Sequence, residues 1–145
     1  MKKILIVQGI FYPDISQLLL KGTSAKLDKL GYCYEVIDVY GALEIPTVIS
    51  LVSKSDRARE FAGYIALGCV IRGETSHYEI VCNESARALT QISIDHNLAI
   101  ANGILTVENH QQALIRANPI HKDKGGFCAM ACHQLILIKN NFKIL

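Results

Sequence analysis

The chain has 145 residues and a mass of 16.0 kDa, with half of its residues hydrophobic, a mean hydropathy of +0.25 and a formal net charge of +2. That length makes one ordinary domain spanning residues 1–145, and no apolar run approaches the roughly 20 residues a bilayer span requires, which argues against a membrane protein. Lysines and arginines are dispersed rather than clustered, so no nucleic-acid footprint is apparent, and a chain this apolar is expected to hide surface in an oligomer.

Ile4 to Val7 reads as a strand buried on both faces, and Gln8 and Gly9 cut that apolar run too short for a secretion signal. Asp14, with Gln17 three residues on, resembles a helix start. Ile15, Leu19, Leu27 and Leu30 then form one stripe until Gly31. Tyr34 to Val39 is a second strand, and Gly41-Ala-Leu-Glu-Ile-Pro46 turns into a second helix with Ile45, Ile49 and Val52 toward the sheet. Gly63 to Ile71 is the third strand. Ser76 and Glu79 read as a capping box starting a third helix at His77, whose buried face carries Val81, Ala88, Leu89 and Ile92. A fourth strand, Leu98 to Leu105, precedes a short helix from about Asn109 to Arg116 and a polar loop, His121 to Gly126. The final helix is expected to bury Cys128, Ala131, Leu135 and Ile138. This alternation predicts βαβ units, hence a parallel sheet with helices on both faces.

Strand ends and helix starts in such a fold leave oriented N–H groups open to ligands, so the junction Leu67-Gly-Cys-Val-Ile-Arg-Gly-Glu-Thr-Ser-His77 is the natural site. Gly73, Glu74, Thr75 and Ser76 suit a phosphate there, with the Glu74 carboxylate expected to turn outward. His77 is either a surface histidine or a group that takes and gives protons near pH 7. Arg116 is either a cation favoured by a helix C-terminus or a guanidinium fork for phosphate. Phe11 either packs under its loop or stacks on a planar ring, and Glu44 either serves a helix N-terminus or binds a polyol.

The five cysteines lack CxxC spacing, which argues against a disulfide framework and suits a reducing compartment. Cys128 and Cys132, near His121 and His133, read as core thiols rather than zinc ligands, and Cys69 as a core thiol rather than a nucleophile. Neither GxGxxG nor a P-loop occurs. Ile10-Phe11 and Gly68-Cys69 stand where a response-regulator receiver needs acids, and the first loop lacks the hydroxyl series of a flavodoxin carrier.

Gly41-Ala-Leu-Glu-Ile-Pro46, Leu67 to Gly73, Thr75-Ser-His-Tyr78, Val81-Cys-Asn-Glu84 and Gly103-Ile-Leu-Thr-Val-Glu-Asn109 together resemble 6,7-dimethyl-8-ribityllumazine synthases over nearly the whole chain. The resemblance implies a three-layer α/β/α sandwich with a four-stranded parallel sheet in the flavodoxin-like order 2-1-3-4. It implies a transferase of riboflavin biosynthesis, cytoplasmic by the N-terminal and cysteine readings above, that condenses 5-amino-6-(D-ribitylamino)uracil with 3,4-dihydroxy-2-butanone 4-phosphate and releases phosphate and water. No metal or organic cofactor is implied. By motif, His77 matches the proton-transfer histidine and Phe11 the stacking ring. Ala42, Leu43 and Glu44 match the ribityl and uracil-edge segment, and Cys69, Val70 and Ile71 the strand end along the pyrimidine. Glu74 and Thr75 match the phosphate loop, with Arg116 as phosphate clamp, Lys124 as a further polar contact and Asn102 as a wall residue. Leu43 replaces a common Phe, Asn102 a common aromatic, and Glu74 a common small residue. The residues from the fourth strand onward would complete a neighbour's site, which implies a homopentamer or an assembly of pentamers. The longer N-terminal arm of many members has no counterpart before Ile4. Riboflavin synthase is the implied protein partner. A non-catalytic member of the same fold that binds riboflavin-like compounds, or an assembly protein with a vestigial site, is the competing function.

Overall fold

The computed structural model describes residues 3–144. Four strands, β1 (Lys3–Gly9), β2 (Cys33–Val39), β3 (Phe61–Ile71) and β4 (Ile100–Val107), form one all-parallel sheet in the order β2-β1-β3-β4. Five helices surround it: α1 (Pro13–Leu30), α2 (Ile45–Ser53), α3 (His77–His96), α4 (His110–Ala117) and α5 (Lys124–Asn141). Alternation along β1 divides the core. Ile4 and Ile6 pack with Ile15 and Leu19 of α1, Ala113 of α4 and Cys132 of α5, while Leu5 and Val7 pack with Ile45 and Ile49 of α2 and Val81 and Leu89 of α3. A sheet covered on both faces requires the unbroken apolar run seen in the first strand. The expected α/β/α sandwich and its 2-1-3-4 order are what the fold contains.

Local differences have local causes. Asp14 does not cap α1. Pro13 opens the helix after Tyr12, and the Asp14 carboxylate sits in the first turn, 2.7 Å from His110 Nε2. Gly31 ends the helix as expected, in the left-handed conformation at φ 83°, which costs glycine little. The capping box at Ser76 does not form. Ser76 has helical backbone angles and makes no cap bond, Thr75 Oγ1 instead accepts from the His77 N–H at 3.3 Å, and Glu79 is drawn to Arg72. Val81 and Leu89 of the expected α3 face are buried, whereas Ala88 and Ile92 are only half-buried and Ser85 takes a buried place. The strand after α3 starts at Ile100 because Leu98 belongs to the turn that closes the helix. Leu98 N–H donates to Ser93 O, and the Ser93 hydroxyl donates to Leu98 O at 2.8 Å.

The last helix departs furthest from expectation. It begins at Lys124, with Asp123 as its cap accepting from Gly126 N–H, and it buries Cys128, Ala129, Cys132 and Ile136. Ala131, Leu135 and Ile138 are exposed. Because α5 is apolar on several sides, periodicity offered more than one stripe, and close packing selected the cysteines. A Cβ built on Gly103 of β4 would lie 2.6 Å from Cys128 Sγ, and one on Gly63 of β3 would lie 2.6 Å from Cys132 Sγ. The glycines thus make the hollows that the two sulfurs fill. Gly103→Ala should lower stability by about 1–3 kcal/mol, because its Cβ would also meet Ala66 O of the neighbouring strand at 2.9 Å. Chemical denaturation checks this, and an unchanged midpoint would contradict the packing argument.

Candidate active site

The C-terminal ends of the strands, where an open α/β sheet binds its ligands, enclose a cleft of about 490 Å³. A hollow of about 770 Å³ opens at the opposite end of the sheet among Tyr32, Phe61, Tyr64 and Ile136. It is larger but holds none of the candidate site residues.

Three loops and one helix start build the cleft. After β1, Phe11 is 69% exposed, with Tyr12 edge-on at 5.0 Å between ring centroids, so its face is free rather than packed under the loop. The Ile10 N–H donates to Val39 O at 2.9 Å and holds this loop to the end of β2. A side chain at Gly9 would collide with the Gly41 backbone, so glycine lets the two loops meet. After β2, Ala42–Glu44 form a 3-10 turn in which the Glu44 carboxylate accepts from the Gly41 N–H at 3.0 Å. Ala42 is buried, while Leu43 and Glu44 are exposed, and all three line the cleft.

The end of β3 supplies Cys69, Val70 and Ile71 to the same wall. Burial, then the Asp14 charge, pushes the Cys69 thiol up to about 12, so it is no thiolate nucleophile near neutrality. The wall continues through Gly73 and Thr75 to His77, the first residue of α3. Glu74 is exposed and lies outside it. Thr75 Oγ1 already accepts from the His77 N–H, which leaves its hydroxyl hydrogen to donate.

Sequence reasoning assigned no role to Tyr12, Tyr40 and Tyr78, yet all three line the cleft. Tyr40 is 85% exposed. Its place just before Gly41 at a strand end, and that of Tyr78 next to His77, were the available signals. The phenols of Tyr12 and Tyr78 are raised above the ordinary tyrosine value, chiefly by desolvation, so both stay neutral and able to donate.

Arg116 and Lys124 do not enter this cleft. They line a separate groove of about 360 Å³ beside edge strand β4, together with Lys122, a third cation to which the sequence pattern gave no role. Arg116 Nη1 donates to Gln112 O at 3.1 Å, within its own helix. Asn102 lies in neither hollow. It is exposed on β4, and its Oδ1 accepts from the Ile104 N–H at 2.9 Å. One protomer therefore gathers His77, Thr75, Phe11, residues 42–44 and residues 69–71 at one place and holds Arg116 and Lys124 at another.

Among the described residues no group of three or more His, Cys, Asp or Glu is arranged to hold a metal, and no helix is long and apolar enough to cross a membrane. Cys132 Sγ lies 3.7 Å from both Tyr64 O and Ala99 O, and His133 Nδ1 pairs with the Tyr32 hydroxyl at 2.8 Å. These contacts place both groups in packing.

A model of the 6,7-dimethyl-8-ribityllumazine synthase family matches residues 1–140. The chain is 50% identical to the 6,7-dimethyl-8-ribityllumazine synthase of Bartonella henselae over 96% of its own length and 89% of that protein. It is 48% identical to that of Sphingopyxis alaskensis over 99% of both chains, and 47% identical to 6,7-dimethyl-8-ribityllumazine synthase 1 of Rhizobium meliloti over 94% of its length and 90% of that protein. With the parallel sheet, its order and the cleft at the strand ends, these matches mean that the chain belongs to the 6,7-dimethyl-8-ribityllumazine synthase family.

Proposed function

We propose that the His77 cleft of one protomer and the Arg116 groove of the next are two halves of one active site. There the chain condenses 5-amino-6-(D-ribitylamino)uracil with 3,4-dihydroxy-2-butanone 4-phosphate to give 6,7-dimethyl-8-ribityllumazine, phosphate and two waters. The separation of Arg116 and Lys124 from His77 within one chain carries this reading, because a phosphorylated substrate needs cations that the cleft itself lacks. Exposed Phe127, Met130, Leu137 and Ile138 on α5 supply apolar surface for the contact between protomers. A ring of such heterologous contacts closes as a pentamer or an assembly of pentamers.

Phe11 stacks on the pyrimidine, residues 69–71 run along it, and the turn at Ala42, Leu43 and Glu44 receives the ribityl chain. Thr75, the Gly73 and Glu74 backbone and the neighbour's Arg116 hold the phosphate, with Lys124 adding a polar contact and Asn102 a hydrogen-bonding wall. The 5-amino group attacks the ketone and water leaves to give an imine. Phosphate is then eliminated, and the ribityl-bearing nitrogen closes the ring with loss of the second water. His77 moves protons between these steps, and holding two substrates together supplies much of the acceleration. All five cysteines are free, which supports placing the enzyme in the cytoplasm, where riboflavin synthase would take its product.

Purified protein given both substrates should form a lumazine detectable by absorbance and fluorescence, whereas binding without product would sink the catalytic reading. Phe11→Ala should raise KM for the pyrimidine roughly tenfold with a smaller change in kcat, and equal KM would remove the stacking role.

A further inference from the structure

Arg72 opens the loop that carries Gly73 and Thr75 and leads into α3 at His77, yet it does not line the cleft. Its guanidinium reaches in three directions. Nη1 donates to the Glu79 carboxylate in the first turn of α3, Nε donates to Glu108 Oε2 at 2.7 Å just after β4, and Cζ lies 4.3 Å from the centroid of the Tyr78 ring. Its backbone N–H donates to Val107 O at 3.0 Å, joining the same two strand ends. From Glu108 the connections continue, because the Glu108 N–H donates to Gln112 Oε1 at 2.8 Å and the Gln112 carbonyl accepts from Arg116 Nη1 at 3.1 Å. These contacts, joined through the covalent frames of Glu108 and Gln112, connect the start of α3 to the guanidinium of Arg116.

The Arg72 side chain is 42% exposed, Glu79 49% and Glu108 56%, and ion pairs this open contribute little to folding. Two carboxylates also occupy the fork that would otherwise face a phosphate, so Arg72 is not itself a spare anion ligand. A planar fork bridging two acids does fix angles, which a flexible ammonium cannot.

We propose that Arg72 is a positioning residue that sets, through Glu79 and Tyr78, the phosphate loop of its own cleft and, through Glu108 and Gln112, the Arg116 that its protomer lends to the next. The inference rests on the shared-site reading above. It makes phosphate binding in adjacent sites depend on one side chain, and misplacement by about an ångström is enough to lose one to two orders of magnitude in rate.

Steady-state kinetics with both substrates test it on Arg72→Met, Arg72→Lys and Glu108→Gln, with Arg87→Gln as a control that breaks an exposed pair with Glu84 elsewhere on α3. Arg72→Met should raise KM for the butanone phosphate about tenfold and lower kcat several-fold, with KM for the pyrimidine nearly unchanged. Arg72→Lys, which keeps the charge but not the fork, should keep most of that defect, and Arg72→Met combined with Arg116→Ala should cost less than the product of the two single effects. Should Arg72→Met not fold, Arg72→Lys and Glu108→Gln carry the same test. Wild-type kinetics in the folded variants, or fully multiplicative effects in the double variant, would overturn the proposal. If instead the wild-type chain forms no product, or Arg116→Ala is itself without effect, the reading of the shared site has failed and not the role of Arg72 alone.

Discussion

Arg116→Ala should raise KM for 3,4-dihydroxy-2-butanone 4-phosphate by on the order of 10²-fold, with a much smaller change in KM for the pyrimidine. A charge-assisted hydrogen bond contributes about 1.5–3 kcal/mol, and each 1.4 kcal/mol is tenfold in affinity. Arg116 lies in a groove with Lys122 and Lys124 and among the described residues faces no carboxylate in an ion pair, so its charge is available to a ligand. Arg116→Lys should recover only part of the loss, since an ammonium cannot present the planar fork. Steady-state kinetics with each substrate varied in turn decides this, and an equal loss toward both substrates would point to a collapsed site rather than a missing phosphate contact.

His77→Ala should act on the other parameter, lowering kcat by about 10²-fold or more while both KM values stay within a few-fold. The side chain is exposed at the first position of α3, and its backbone N–H, not its ring, makes the local hydrogen bond to Thr75 Oγ1. Losing the imidazole therefore leaves the helix start intact. Retained turnover in a folded His77→Ala protein would remove the proton-transfer role, and rescue by added imidazole would support it.

Much of the fold was legible because burial on two faces writes itself into sequence. The Ile4 to Val7 run suits a strand buried on both faces, and Gly31 suits the end of α1, where the chain takes a left-handed turn. Reading failed where several local partners compete for one group. Glu79 suits a capping box, but Arg72 offers it a full charge, and the Glu79 N–H goes to the Ser76 carbonyl rather than to the Ser76 hydroxyl. On α5 the leucines and isoleucines invited burial, yet the hollows at Gly63 and Gly103 accept cysteine sulfurs. That pairing spans 69 and 25 residues and leaves no trace in a helical period.

The candidate site divides along the same line. Phe11, Glu44, Thr75 and His77 were readable because each lies just beyond a strand end, and parallel topology brings strand ends together, whereas Ala42, Leu43, Val70 and Ile71 came with the family resemblance. Tyr40 sits at such an end too, but an exposed tyrosine before a glycine turn carries no pattern that separates a ligand contact from ordinary surface. Arg116 reads from the sequence either as a helix C-terminal cation or as a phosphate fork, Lys124 and Asn102 come only with the family resemblance, and nothing in one chain's pattern indicates whether a groove beside an edge strand serves its own cleft or another's. Lys122 was missed for the same reason.

Mixing His77→Ala with Arg116→Ala protein under conditions of subunit exchange tests the shared site most directly. If each site takes His77 from one protomer and Arg116 from its neighbour, random mixing at equal amounts rebuilds about a quarter of the sites intact, and activity should rise toward that fraction of wild type from two nearly inactive parents. Mixed assemblies that exchange subunits fully yet remain as inactive as the parents would mean that both side chains act within a single chain.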